Sequence, residues 1–204
     1  MKNKNQENVW DEIAPLWNEY KKERNTLIDE FLKDVKKDEK ILDLGCGSGR
    51  NFIKTKGIIY AVDFSDEMLK LAKEKADKLG IKIETIKAGA EKLPFEDDFF
   101  EHCLAVAVFH CIAEKKNRKK ALKELYRVMK PKSQAFVTVW DKSAERFRNK
   151  EKDMKVSWNV NGEKIFRYYY LYNYNEFKKE LEELGFKIIK RFETRANIIV
   201  VAGK

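Results

Sequence analysis

With three cysteines, two histidines and three prolines in 204 residues, the chain is poor in the groups that mark several protein classes. Cys46, Cys103 and Cys111 form no C-x-x-C pair, which excludes a disulfide framework and predicts a reduced, cytoplasmic setting. His102 and His110 belong to no ligand-like cluster, so no zinc or iron site is expected. The longest apolar run, Cys103 to Phe109, has seven residues, far short of a membrane span. Met1 to Asn8 is polar and lacks the apolar segment of a secretory signal. There is no repeat and no low-complexity linker, so a single domain over 1–204 with a substantial core is expected.

Positive charge is what the chain has in excess. The net charge is +9, and from Glu114 to Lys132 nine Lys or Arg stand against two Glu. Such a helix face favours a polyanion, most simply nucleic acid. Lys- and Glu-rich chains also carry faces that are merely solvated, so charge supports an RNA substrate without establishing it.

Apolar spacing supplies the architecture. Val9, Ile13, Leu16, Trp17 and Tyr20 form one helical stripe, and Leu27, Ile28, Phe31, Leu32 and Val35 a second, so 1–36 reads as a helical cap. Lys40 to Leu44 and Ile58 to Val62 are strands; Ser65 to Leu79 is a helix with Met68, Leu69, Ala72, Ala76 and Leu79 inward, stopped by Gly80. Ile81 to Ile86 alternates with period two, as a half-exposed edge strand does. The apolar run within Phe99–Phe109 fits a buried parallel strand, Glu114 to Met129 is the basic helix, and Gln134 to Trp140 is the fifth strand. Asp141 to Phe166 has weak periodicity and reads as an insertion, with 141–172 as the substrate region. Tyr174 to Leu184 is a helix, and Phe186–Phe192 and Ala196–Ala202 close the chain. Strands alternating with helices predict an α/β three-layer sandwich, its seven-stranded, mostly parallel sheet ending in an antiparallel hairpin.

One stretch carries most of the chemistry. D-L-G-C-G-S-G (43–49) follows Ile41-Leu42, and Asp63 closes the next apolar run, so a strand, a glycine turn opening a helix, a second strand and a terminal carboxylate follow in order. Glycines let backbone approach a nucleoside, and an acid at the second strand's end takes both ribose hydroxyls. The spacing is G-x-G-x-G, and Asp43 sits two residues before Gly45. A carboxylate there repels a pyrophosphate but suits the ammonium group of S-adenosylmethionine. Taken singly, Asp43 or Asp63 could be a helix cap; their order favours the methyl donor.

The whole of 40–140 resembles the Rossmann-like S-adenosylmethionine-dependent methyltransferases: D-L-G-C-G-S-G is their glycine motif, Val62-Asp63-Phe64-Ser65 with Met68 their ribose segment, and A-G-A-E-K-L-P-F (88–95) their third motif. The resemblance implies a donor site of Asp43, Gly45, Gly47, Gly49, Asp63, Phe64, Met68, Ala90, Glu91 and Ala107. In it Asp63 holds the ribose, Phe64 and Met68 flank the adenine, and Ala107 lies by the methionine end. Where the third motif usually carries an acid before Ala90, this chain has Gly89, which leaves Glu91 or backbone to meet the adenine amino group.

A narrower resemblance spans nearly the full length. V-W-D-E-I-A-P-L-W (9–17), A-V-A-V-F-H-C-I (105–112), A-L-K-E-L-Y-R-V-M-K-P (121–131), V-T-V-W (137–140), R-Y-Y-Y-L-Y (167–172) and T-R-A-N (194–197) are similar to the tRNA wobble-uridine carboxymethyluridine methyltransferases. It implies methyl-ester formation on the carboxylate of 5-carboxymethyluridine, with Lys21, Arg195 and Asn197 orienting that carboxylate and His110 near the base. It also implies a small zinc-binding activator, which the edge strand 81–86 would receive by strand addition. Tyr20-Lys21 and Arg24-Asn25 replace the family's Thr-Arg and Pro-Trp, Cys111 stands at the second place of a histidine pair, and Arg195-Ala196-Asn197-Ile198 replaces an acid followed by Asn-Trp. Two other readings share the core motifs: a small-molecule methyltransferase acting on a quinone-type or short acid substrate, and a non-catalytic RNA-binding subunit.

Overall fold

The computed structural model describes residues 5–204; Met1 to Lys4, the first part of the expected cap, lie outside the described residues. Helices α1 (Gln6–Tyr20) and α2 (Leu27–Phe31) precede strand β1 (Lys40–Leu44). Then come β2 (Ile58–Asp63), α3 (Asp66–Leu79), β3 (Ile83–Lys87), β4 (Phe100–Val106), α4 (Lys115–Val128) and β5 (Met129–Trp140). A hairpin, β6 (Asp153–Val160) and β7 (Glu163–Tyr170), leads to α5 (Tyr174–Glu182), β8 (Lys187–Phe192) and β9 (Asn197–Gly203). The main sheet has seven strands in the order β3-β2-β1-β4-β5-β9-β8. The first five are parallel, and β9 inserts antiparallel between β5 and β8. The α/β sandwich expected from the alternation of strands and helices is the fold observed.

Local chemistry explains the elements. β1, β2 and β4 are buried on both faces, which is why they read as near-continuous apolar runs. Ser65 caps α3, its hydroxyl accepting from the Met68 N–H at 3.1 Å, and Gly80 ends the helix in the left-handed region at φ 64°. Met68, Leu69, Ala72 and Ala76 are buried, whereas Leu79, read as inward, is 38% exposed. In α1, Val9 and Ile13 are buried, but Leu16 and Tyr20 of the expected stripe face out.

Three expectations need correction. The glycine motif does not open a helix: residues 45–51 pass through successive turns and no regular helix follows before β2. Gly45, Gly47 and Gly49 all have positive φ, which breaks helical continuation, and the short crossover is roofed instead by α2 and Phe52. Second, 141–172 is not irregular. Asn161 (φ 51°) and Gly162 (φ 86°) make the two-residue turn of the β6–β7 hairpin, whose end packs Val160 and Ile165 on Val9 and Ile13 of α1. Third, the basic helix is less free than its composition suggests. Arg118 is buried beneath Tyr168 and Tyr170, and Arg127 binds Glu124, Asp97 and the Leu93 and Phe95 carbonyls. Lys115, Lys116 and Lys119 face Glu180, Glu114 and Glu183. β3 does form the sheet edge, with every residue at least half-exposed or intermediate.

Candidate functional site

A cleft of about 490 Å³ opens at the carboxyl ends of β1, β2 and β4, where ligands of parallel α/β sheets bind. Its walls include Gly45, Gly47, Asp63, Phe64, Met68, Ala90, Glu91 and Ala107 of the expected donor set. Asp43 and Gly49 lie behind this surface. A larger, more open groove beside α2, lined by Arg24, Phe52, Lys54 and Leu79, contains none of the expected residues.

The glycines are required by contact as well as by φ. A Cβ on Gly45 would stand 2.5 Å from Val108, and one on Gly49 would stand 2.4 Å from the Phe52 ring. Asp63 sits at the end of β2, its carboxylate accepting from the N–H groups of Gly47 (2.9 Å) and Ser65 (3.0 Å). It therefore ties the glycine turn to the start of α3. Burial raises its pKa to about 6 against the pull of these bonds.

Asp43 is the most telling group. It is 2% exposed, and its Oδ2 has no hydrogen-bond partner among the described residues. Burial first, then the charge of Asp63, raises its pKa to about 7, partly opposed by Arg50. A buried carboxylate in this condition fits a cationic ligand group, which is what an α-ammonium supplies. On the adenine side, Gly89 and Glu91 are adjacent: a Cβ at 89 would meet the Glu91 carboxylate at 3.2 Å. Glu91 thus occupies the neighbourhood of the missing acid.

At the other end of the cleft the chain leaves β4 through Ala107, held at φ 65° by two bonds from its N–H to Thr138 Oγ1 (3.0 Å) and O (3.1 Å). Val108, Cys111, Ile112 and Asn117 continue this wall, and Trp10 and Trp17 of α1 face the cavity. Burial pushes the Cys111 thiol up to about 12, so it is protonated at neutral pH.

The residues expected around the acceptor are dispersed. His110 is 1% exposed and stands behind the wall, packed nearly parallel against the stacked pair Trp140 (5.0 Å) and Tyr169 (5.6 Å), whose own rings lie 4.1 Å apart. Its Nδ1 accepts the Trp140 backbone N–H at 3.3 Å, and burial, then Arg146, lowers its pKa to about 3. It is a neutral stacking element and no accessible base. Lys21 caps α1 over the Tyr20 ring (5.0 Å). Arg195 is exposed in the β8–β9 loop, and Asn197 pairs with Trp140 across β9 and β5, at the rim formed by the end of β5. The apolar stripe read from the sequence took in Trp17 and Tyr20 but not Trp10, and no role was expected of Arg50, Arg146 or Arg167. The i, i+7 tryptophans beside an Arg-Tyr-Tyr-Tyr run were the available signal.

A family model described as a methyltransferase domain matches residues 42–137. With the sheet order and the cleft, it defines the class: an S-adenosylmethionine-dependent methyltransferase fold, whose cofactor is S-adenosylmethionine. The chain is similar over 98% of its length to the crystal structure of a SAM-dependent methyltransferase from Aquifex aeolicus (25% identity, 99% of that chain, TM-score 0.66). It is 26% identical to the probable tRNA methyltransferase 9B of Homo sapiens, over 74% of this chain and 32% of that protein. It is 30% identical to the tRNA (carboxymethyluridine(34)-5-O)-methyltransferase of Arabidopsis thaliana, over 65% of this chain and 31% of that protein. The chain thus spans about a third of the length of these two relatives. A ubiquinone/menaquinone biosynthesis C-methyltransferase of Cronobacter sakazakii is 31% identical, over 58% of this chain and 49% of that protein. Among the described residues there is no group of side chains that could hold a metal ion, and no helix is long and apolar enough to cross a membrane.

Proposed function

We propose that the protein methylates the carboxylate of 5-carboxymethyluridine at the wobble position of tRNA. The observation that carries this reading is the acceptor end of the cleft: Cys111 lines it with a thiol that burial keeps protonated, and His110 is enclosed behind the wall with its Nδ1 already accepting the Trp140 N–H, so neither serves as a base for a nucleophile. A carboxylate, with a pKa of about 4, arrives ionised and needs no base. A phenol, an amine or an activated carbon more often does. Similarity to a probable tRNA methyltransferase supports tRNA as the substrate, and similarity to the tRNA (carboxymethyluridine(34)-5-O)-methyltransferase supports this acceptor.

Bound S-adenosylmethionine supplies a methyl group on a sulfonium centre, open to in-line displacement. The protein's part is positioning and exclusion of water. Asp43 holds the ammonium end, Asp63 the ribose, and Phe64 and Met68 the adenine. The Ala107 turn carries Val108 and Cys111 to the methionine end. Helix α1 and the β6–β7 hairpin roof the acceptor side, joined by Gln6, whose amide bonds Phe166 O (3.3 Å) and Tyr168 N–H (3.1 Å). Lys21, Arg195 and Asn197, which do not line the cleft, would meet the anticodon loop outside it, and a small zinc-binding activator would add a strand to β3.

Nucleoside mass spectrometry of tRNA from cells lacking the gene tests the reading: loss of the wobble methyl ester with accumulation of the free acid is expected. A purified protein that methylates a quinone-type ring and never carboxymethylated tRNA would favour the small-molecule alternative, which the similarity to the ubiquinone/menaquinone enzyme supports. The unpartnered Asp43 weighs against a non-catalytic subunit, since retaining it without a donor is costly.

A further inference from the structure

Beside the donor cleft lies a cluster of four cations, Lys21, Arg50, Arg146 and Arg167, with Glu23 acting on Lys21 and Asp43 on Arg50. Arg167 of β7 is 3% exposed. Its guanidinium lies 4.9 Å from the Trp17 ring centroid, 5.0 Å from Trp158 and 5.5 Å from Trp10, and Nη1 donates to the Tyr169 hydroxyl at 2.7 Å. Its Nε has no acceptor. Lys21 lies close enough to Arg50, Arg146 and Arg167 to be repelled by all three, which, after burial, lowers its pKa. Among the described residues none of these four cations is in an ion pair, whereas Lys115, Lys119, Arg127 and Lys152 each are. A buried guanidinium is normally matched by an anion; aromatic faces offset its desolvation only in part.

The aromatic walls connect this cluster to the donor. Trp10 and Trp17 contact Arg167 on one side and line the cleft on the other. Tyr20, 65% exposed, stands at the mouth against Trp158 (5.2 Å). Flat apolar walls, a buried planar cation at the back and more exposed cations, Lys21 and Arg146, at the rim are what a planar ring bearing a carboxylate requires. We propose that Arg167, with Lys21 and Arg146 at the mouth, is the anion-binding subsite that receives the acceptor's carboxylate, the pyrimidine ring lying among Trp10, Trp17 and Trp158. This assignment rests on the carboxylate reading above and moves the anion's seat from the rim residues Arg195 and Asn197 to the hairpin.

The four tryptophans all lie in or next to this chamber, so their fluorescence reads it. Protein saturated with S-adenosylhomocysteine is titrated with 5-carboxymethyluridine, with uridine and with inorganic phosphate. The carboxylated nucleoside should bind at least tenfold more tightly than uridine, and phosphate should compete weakly. Arg167→Met should abolish the preference; Arg167→Lys, which loses the planar fork, should reduce it. Should the buried variants fail to fold, Lys21→Gln and Arg146→Gln at the mouth should each cut it severalfold with S-adenosylhomocysteine affinity unchanged. Equal binding of uridine and its carboxymethyl form, or phosphate competing as well as the carboxylate, would overturn the assignment. Arg167-dependent binding in a protein that leaves tRNA unmethylated would keep the subsite and sink the tRNA reading. Normal tRNA methylation with unaltered KM in folded Arg167→Met and in both mouth variants would do the reverse.

Discussion

Replacing Asp43 with Asn should move stability and donor affinity in opposite directions. The carboxyl is fully enclosed, carries an oxygen without a partner, and titrates at about 7 in the folded chain against about 3.9 in an unfolded one. The folded state therefore holds an extra proton between about pH 4 and pH 7. Stability from this group is complete below that window and lost as pH rises through it. Three units correspond to a ceiling of about 4 kcal/mol at neutral pH. Local relaxation and water entry reduce such penalties, so we expect Asp43→Asn to stabilise the free protein by about 2 kcal/mol, or about 4–8 °C in Tm for a domain of this size. The gain should be present at pH 7.5 and shrink toward pH 5, because Asn cannot titrate. Donor binding should fall at least a hundredfold, about 3 kcal/mol, because the buried ammonium loses its counter-charge. Thermal melts across this pH range, with calorimetry of S-adenosylhomocysteine, measure both. An Asn variant that melts below the parent at every pH, or that binds the product with parental affinity, would refute the reasoning.

Asp63→Ala should weaken donor binding by about 1.5–3 kcal/mol, read by calorimetry, since two hydroxyls lose a charged acceptor and the Gly47 and Ser65 N–H groups are released as well. The kcat/KM profile should show a limb near pH 7 from Asp43 that vanishes in Asp43→Asn and persists in His110→Phe, because His110 is neutral throughout the range. His110→Phe should cost about 1–3 kcal/mol of stability by chemical denaturation, having left the Trp140 N–H without its acceptor. Lys115→Glu, Lys119→Glu and Lys123→Glu together should weaken all tRNAs alike in filter binding and flatten the salt dependence without altering donor affinity. A salt-independent affinity, or binding unchanged in the triple variant, would remove α4 as an RNA face; the pairing of Lys115 and Lys119 with Glu180 and Glu183 makes this the severest test.

The donor half of the cleft was legible in the sequence because its parts are local. A strand, a glycine turn and a carboxylate at the next strand's end are fixed by apolar runs and by φ, and so Gly45, Gly47, Asp63, Phe64 and Met68 arrive on one surface. The edge position of β3 and the antiparallel close of the sheet followed from the same alternation. Even the β6–β7 hairpin was encoded, in Asn161-Gly162 between alternating residues, but dense charge hid the period. Burial and partnership were not local. That His110 is enclosed against the stacked Trp140 and Tyr169, that Arg118 and Arg127 are engaged by groups outside the basic helix, and that Asp43 Oδ2 lacks a hydrogen-bond partner depend on elements distant in the chain. The cation cluster makes the point most sharply: Lys21, Arg50, Arg146 and Arg167 are scattered over four segments, each unremarkable by composition. Only the packing of α1 against the hairpin brings Arg50, Arg146 and Arg167 close enough to act on Lys21, and that decides where an anion can bind.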